Sequence, residues 1–247
     1  MSLILLRRRR DGPGQPPVGG TLDYGHPIAL GLVACWDGID DAGNLLYDST
    51  GNSHLQGSTA PSLVATQAPI YVARNISATA YFTQAAKPDP RMAFGHGSVE
   101  AWVAPGAWPT FAVILERTDG NAADGIHEHF RLQRNNTASG FIFHDGSHTV
   151  SGGSSVTGRW SHVVGTCVNG NAKLYVDGQL ISTSSAFNNP LNSPSGAYVN
   201  YGLYCGGTAT NFVGKLGPVR LWGGRILSPD DVRQLHEDPW CMRRGPR

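Results

Sequence analysis

The sequence predicts an all-β sandwich, and three observations carry that expectation. Glycine (32) and proline (16) are abundant in a chain of 247 residues of which only 15% are charged. That balance belongs to short strands joined by turns rather than to a helical bundle. Short apolar runs alternate with turn clusters at roughly the 8–12-residue spacing of a sandwich. Two of those clusters, "VNGNA" (168–172) and "VDGQ" (176–179), hold Asn-Gly and Asp-Gly, which accept the positive φ of tight hairpin turns.

The chain opens with an arm over residues 1–27, beginning "MSLILLRRRRDGPGQPPVGG" and ending "LDYGHP". Leu3, Ile4, Leu5 and Leu6 precede Arg7, Arg8, Arg9 and Arg10, which is the reverse of a secretory signal. A twin-arginine signal needs an apolar segment after its arginines, and "DGPGQPPVGG" is not one. Four apolar residues fall far short of the roughly 20 that span a bilayer, and no other run approaches that length. A soluble protein is expected.

From "IALGLVACWDG" onward the strand-like runs follow in order: "SVEAWVAP", "TFAVILERTDG", "HFRLQRNNTASGFIFHDG", "WSHVVGTCVNGNAKLYVDGQLIST", "YGLYCGG" and "VGKLGPVRLWGG". One helix is signalled by "SPDDVRQLHEDPW". Ser228 caps it, Pro229 suits its first turn, and Asp230 and Asp231 favour its positive end. Val232 and Leu235 form its apolar stripe, and Pro239 ends it. The body is therefore expected as one domain over 28–242, followed by a basic tail over 243–247.

The 19 basic residues nearly balance 18 acidic ones, but seven of the basic residues are the arginines of the two ends, so the chain between them is net acidic. This is no broad nucleic-acid surface, for which four clustered arginines are also few. Basic ends suggest instead an acidic or carbonyl-rich partner, with solvated ends as the alternative. In the docking reading, Leu3–Leu6 add as a strand to a neighbour's sheet edge and Arg7–Arg10 pair with carboxylates.

The four cysteines, Cys35, Cys167, Cys205 and Cys241, show no CxxC pair and no zinc spacing. The first three sit in apolar runs, where a free thiol packs as a small hydrophobe; a disulfide stays open.

No catalytic motif is found. Sandwich glycosidases need two carboxylates flanking one bond, and no E-x-D-x-x-E run exists; Glu100 stands alone and is expected as an outward, solvated carboxylate. G-x-S-x-G, the P-loop and H-E-x-x-H are absent too, so no enzyme is expected. Trp36, Trp102, Trp160 and Trp222 fall in strands and are expected to pack in the core or between sheets. Trp108 and Trp240 lie in loop-like segments, where each can stack on a sugar or anchor a protein contact. The turn "NNTASG" sets Arg131 opposite His144 and His127 opposite His148 if the hairpin is centred between Thr137 and Ala138. Together with His129, that register would gather four histidines on one face as a transition-metal or pH-sensitive patch, against a plain polar face.

Four stretches carry a family resemblance. "ACWDGIDDAGNLLYDSTGNSHLQGS", with its Asp48-Ser49-x-Gly51-Asn52 loop, "GSVEAWVAP", "GRWSHVVGTCVNGNAKLYVDGQLIS" and "FVGKLGPVRLWGGRILSPDDVRQL" resemble, in that order, the segments of the laminin-G-like, concanavalin-A-like jelly rolls. The resemblance spans roughly residues 30–240 and implies a jelly-roll β-sandwich. Where that family often carries an acidic residue in the closing strand this chain has Pro218, so a metal site there is not implied. The cofactor the resemblance permits is Ca²⁺, with Asp48 and Asn52 as oxygen ligands; the alternative is a turn in which they bond their own backbone. With its arm, the chain also resembles laminin-G-like proteins encoded among phage structural genes. That resemblance implies a non-enzymatic virion protein, a capsid or tail decoration subunit partnered by other virion proteins and assembled as an oligomer or lattice. The alternative is a carbohydrate-binding module for host glycans.

Overall fold

The structure, a computed structural model, describes residues 20–38, 44–57, 61–67, 69–77, 80–84, 96–106, 112–118, 128–134, 140–145, 147–168, 170–187, 198–202 and 211–245. In chain order the strands are β1 (Thr21–Leu22), β2 (Leu32–Trp36), β3 (Leu45–Leu46), β4 (Leu55–Gly57), β5 (Ser62–Ala65), β6 (Val72–Ile76), β7 (Phe82–Gln84), β8 (Gly97–Pro105) and β9 (Val113–Thr118). There follow β10 (Glu128–Arg134), β11 (Phe141–His144), β12 (Thr149–Gly152), β13 (Ser161–Val168), β14 (Asn171–Val176), β15 (Gln179–Ser184), β16 (Tyr198–Tyr201), β17 (Gly214–Gly223) and β18 (Arg243–Arg244). The one helix among the described residues longer than a single turn, α1, spans Pro229–Glu237.

Two antiparallel sheets form the sandwich. One runs β12-β11-β10-β9-β16-β7-β4-β3; the other runs β15-β14-β13-β8-β17-β6-β5. On its side away from β8, β17 pairs with β6 through Gly214–Leu216 and with β2 through Val219–Trp222. Pro218 falls in the bulge between Leu216 and Val219 of the β17–β8 ladder, where a missing N–H is tolerated inside a strand.

The strands alternate as a sandwich requires. Val99, Ala101 and Val103 of β8, Val163 and Cys167 of β13, and Val219 and Leu221 of β17 enter the core between the sheets, where they join Leu115, Leu132 and Phe143. At the centre of β13, an added Cβ on Gly165 would lie 2.6 Å from Cγ of Phe143, so the absence of a side chain is what admits that ring. The hairpin turn at Asp177-Gly178 forms as expected, while Asn169 of the other lies outside the described residues. Val176 pairs with Gln179 across Asp177 and Gly178, at φ 49° and 79°, the two left-handed residues of a primed turn. Arg131 lies opposite His144, as the expected register has it.

The outer face of the β8–β13–β17 sheet is not left to solvent. α1 lies over it and buries Val232 and Leu235 against Val164, Tyr175 and Trp222. Its capping is reciprocal: Asp231 N donates to the Ser228 hydroxyl at 3.1 Å, and Ser228 N donates to the Asp231 carboxylate at 2.9 Å.

Both chain-end boundaries need correction. Residues 20–27 are part of the body rather than of an arm ending at 27. β1 pairs with β18, Asp23 N donates to Met242 O, and Trp222 Nε1 donates to the carbonyl of Ile28. Residues 243 and 244 are likewise not a free tail. Arg243 is buried in an ion pair with Asp37 and donates to Gly20 O and the Ser49 hydroxyl; Arg244 pairs with Asp23. The acidic partner expected for these two arginines is the chain's own amino-terminal region. Arg247 and the stretch Leu3–Arg10 lie outside the described residues. Cys35 and Cys167 are buried and free as expected, Cys241 is free and half-buried, and Cys205 lies outside the described residues.

Two consequences are measurable. Gly165→Ala forces the Phe143 ring to move and is expected to cost about 1–3 kcal/mol, read as a lower denaturant midpoint. Arg243→Ala strands the Asp37 carboxylate and is expected to cost about 3–5 kcal/mol; a free tail would give no change in the same experiment.

Candidate functional site

Alternation along β8 turns Ser98, Glu100 and Trp102 to the outer face of the sheet. Trp102 lies opposite His162 of β13, and Glu100 lies opposite Arg220 of β17. Glu100 is therefore not solvated: it is 0% exposed, which overturns the expectation for this residue. Arg220 Nη1 donates to both of its oxygens at 2.9 Å, and His162 Nε2 lies 3.2 Å from Oε1. Arg220 Nη2 donates onward to the carbonyl of Pro239, just beyond α1. Burial alone would raise the Glu100 pKa, but the Arg220 charge and the His162 contact outweigh it and hold the carboxyl below its ordinary 4.5.

Above this cluster three rings stack. Centroid separations are 4.9 Å for Trp102–His162, 5.6 Å for Trp102–His236 and 5.7 Å for His162–His236. His236 comes from the last turn of α1 and packs over Gly178, where an added Cβ would lie 3.2 Å from the imidazole. Burial, reinforced by His162, lowers the His236 pKa. Trp102 Nε1, His162 Nδ1 and His236 Nδ1 are buried and have no hydrogen-bond partner among the described residues.

Beside the stack lies a cleft of about 320 Å³ lined by Pro69, Trp102, Arg159, Trp160, Asp177 and His236. Trp160, half-buried at the entry to β13, packs with Ile70, Ala73 and Trp102. Asp177 is fixed by reciprocal bonds to His162: it accepts from that backbone N–H at 2.8 Å and donates its own N–H to that carbonyl at 2.7 Å. Arg159 is exposed in the turn before β13. Neither Arg159 nor Asp177 has an ion-pair partner within 4.0 Å among the described residues. The cleft thus offers an aromatic face, a charged donor and a charged acceptor in a space suited to one or two sugar-sized rings.

The expected site residues fall elsewhere. Trp108 lies outside the described residues. Trp240 is 2% exposed, so no face of it is open to a sugar. Asp48 does not fit a Ca²⁺ ligand. Its Oδ1 accepts from Cys35 N and Thr50 N, its Oδ2 from Asn52 N and Ser53 N, and the Thr50 hydroxyl lies within 2.8 Å of both oxygens. Asn52 spends its amide on Val33 O. The alternative reading, a turn bonding its own backbone, describes this loop. His148 is held by Asp145 at 3.2 Å, while His127 and the His129 side chain lie outside the described residues, so the four-histidine face is not assembled among those described.

Sequence reading missed the cleft because Trp102 and Trp160 read as core residues and Asp177 reads as a turn former. The spacing "RW…VDG" marks Arg159, Trp160 and Asp177 only once the β13–β14 hairpin is known to return the chain beside Trp160.

Residues 77–233 match the family described as the concanavalin A-like lectin/glucanases superfamily. The chain belongs to it. Among solved structures, this superfamily member is similar to domain 4 of an extracellular arabinanase from Geobacillus stearothermophilus, in complex with arabinotriose. The TM-score is 0.62 at 18% identity, over 83% of this chain and 98% of that one. It is similar also to the Trypanosoma rangeli sialidase, with a TM-score of 0.62 at 18% identity, over 88% of this chain but only 34% of the sialidase. At such identities the likeness is one of fold. No curated protein matches the sequence. No helix among the described residues is long and apolar enough to cross a membrane.

The pairing of Glu100 sets a pH test. Its folded pKa lies below the ordinary 4.5, so its stabilisation is full above that value and is lost as pH falls through the folded value. Melting temperature is expected to drop steeply below pH 4.5 in the native chain. Glu100→Gln, which leaves Arg220 unpaired, is expected to cost about 3–5 kcal/mol at pH 7 and to flatten that acid limb; an unchanged limb would remove Glu100 from its cause.

Proposed function

We propose that this domain is a non-enzymatic carbohydrate-binding module and that the cleft beside β13 is its sugar site. The observation that carries this reading is the pairing of the half-buried Trp160 ring with two uncompensated charges, Arg159 and Asp177, in one cleft. An aromatic face takes the apolar face of a sugar ring, and charged groups at its rim make the strong hydrogen bonds to hydroxyls. Membership of the lectin/glucanase superfamily and likeness to a domain solved with arabinotriose support the same reading. Binding without hydrolysis is favoured because Asp177 is the one carboxylate lining the cleft among the described residues and Glu100 beneath it is committed to Arg220; glycoside hydrolysis ordinarily needs two carboxyls flanking the bond.

The virion role expected from the arm rests on Leu3–Arg10, and the family and the similar structures lend it no support. Presentation of the sugar site on a particle surface would be compatible with that role.

Trp160→Ala is expected to weaken glycan binding by roughly tenfold or more, the factor that about 1.4 kcal/mol of lost contact gives, with the fold retained by circular dichroism. A glycan array followed by calorimetry on the hits reads this, and reducing-sugar assays on the same glycans are expected to show no hydrolysis. Binding untouched by Trp160→Ala would move the sugar site elsewhere.

A further inference from the structure

We propose, building on the sugar-binding reading, that the cleft selects a sugar ring carrying a carboxylate, with Arg159 holding that carboxylate and Asp177 holding hydroxyls of the same ring. Among the described lining residues Arg159 is the only one with a fixed positive charge, and no carboxylate of the described residues lies within ion-pair reach of it. Glu100 is committed to Arg220 below the ring stack, whereas Asp177 spends only Oδ1, on His162 N. An unpaired guanidinium beside an aromatic wall is a bidentate acceptor-seeking group whose charge does not titrate away.

The arrangement also fixes orientation. Arg159 and Trp160 both line the cleft, so a ring laid on the indole has the guanidinium within the same small space. The carboxylate of a hexuronic or nonulosonic acid sits on the periphery of such a ring, one bond from it. The rest of the cleft disfavours an anion: Asp177 carries a negative charge, and the Glu237 carboxylate at the end of α1 acts on His236 at the cleft wall. His236, held below its usual pKa by burial, adds no standing positive charge at neutral pH. A ligand with one carboxylate and several hydroxyls satisfies this polarity, whereas a polyanion such as a multiply sulfated sugar meets Asp177 as well. At about 320 Å³ the cleft is at the small end of ligand sites, which suits a chain-terminal residue rather than a long internal segment.

The test uses the full chain and matched probes: the methyl glycosides of glucuronic acid, galacturonic acid and N-acetylneuraminic acid, against methyl glucoside and methyl galactoside. Titration calorimetry at pH 7 is expected to give at least one carboxylated glycoside a dissociation constant roughly tenfold or more below those of the neutral ones. Arg159→Gln is expected to erase that preference, Arg159→Lys to keep part of it, and added salt to weaken the carboxylated ligand selectively. Equal binding of neutral and carboxylated probes, unaffected by Arg159→Gln, would overturn the selectivity while leaving the sugar site standing. Failure of every probe and of a broad glycan array would overturn the sugar reading itself.

Discussion

A carboxylate with no access to water must be paired, and in this fold Glu100 imposes that demand at the middle of a sheet's outer face. Its answer draws on two neighbouring strands and the segment after the helix. Arg220 arrives from β17, His162 from β13, and Arg220 passes the connection on to Pro239 O. The cluster is buried only because α1 and the residues after it cover the sheet, and those residues are placed in turn by the guanidinium they satisfy. The outer face is in this sense a second core, polar at its centre and apolar around Trp222, Val164 and Leu235.

The same logic holds the two ends of the chain together. Asp37 and Arg243 are buried as a pair, with Gly20 O and the Ser49 hydroxyl taking further donors of the guanidinium. β1 and β18 then form a two-stranded sheet of their own, with Asp23–Arg244 at its exposed margin. Net charge alone set basic ends against an acidic middle. It did not reveal that two of those arginines already have their acids within the chain, 206 and 221 positions away in sequence.

What the sequence made legible was local. The primed turn at Asp177-Gly178, the capping box at Ser228 and Asp231, and the 131–144 register each depend on neighbours within a few residues or on a single hairpin. What it hid was long-range cover. Strand alternation correctly turned Glu100 away from the core between the sheets, but solvation does not follow from alternation when a helix some 130 residues later lies across that face. Trp240 failed for the same reason, since a loop-like segment beside the terminus is packed under the body. The strands between residues 45 and 84 are two to five residues long and mix polar with apolar positions, so period gave them no signal.

The candidate site lies where that cover runs out. α1 is nine residues long and stops at Glu237, before Pro239. It buries the Val164–Trp222 side of the sheet completely, but on the far side it reaches only as far as His236, whose ring closes over Trp102. Beyond that ring, Trp160 and the Ile70–Ala73 patch pack with Trp102 as a small separate apolar cluster, to which, among the described residues, α1 adds no apolar side chain. An aromatic surface left half-covered must either be hidden by another element or meet a ligand. The sequence places a guanidinium and a carboxylate at its rim instead of further apolar residues, and that choice keeps the cleft open and gives it polarity. The helix length that buries the Glu100 cluster is thus the same feature that leaves the aromatic cleft accessible beside it.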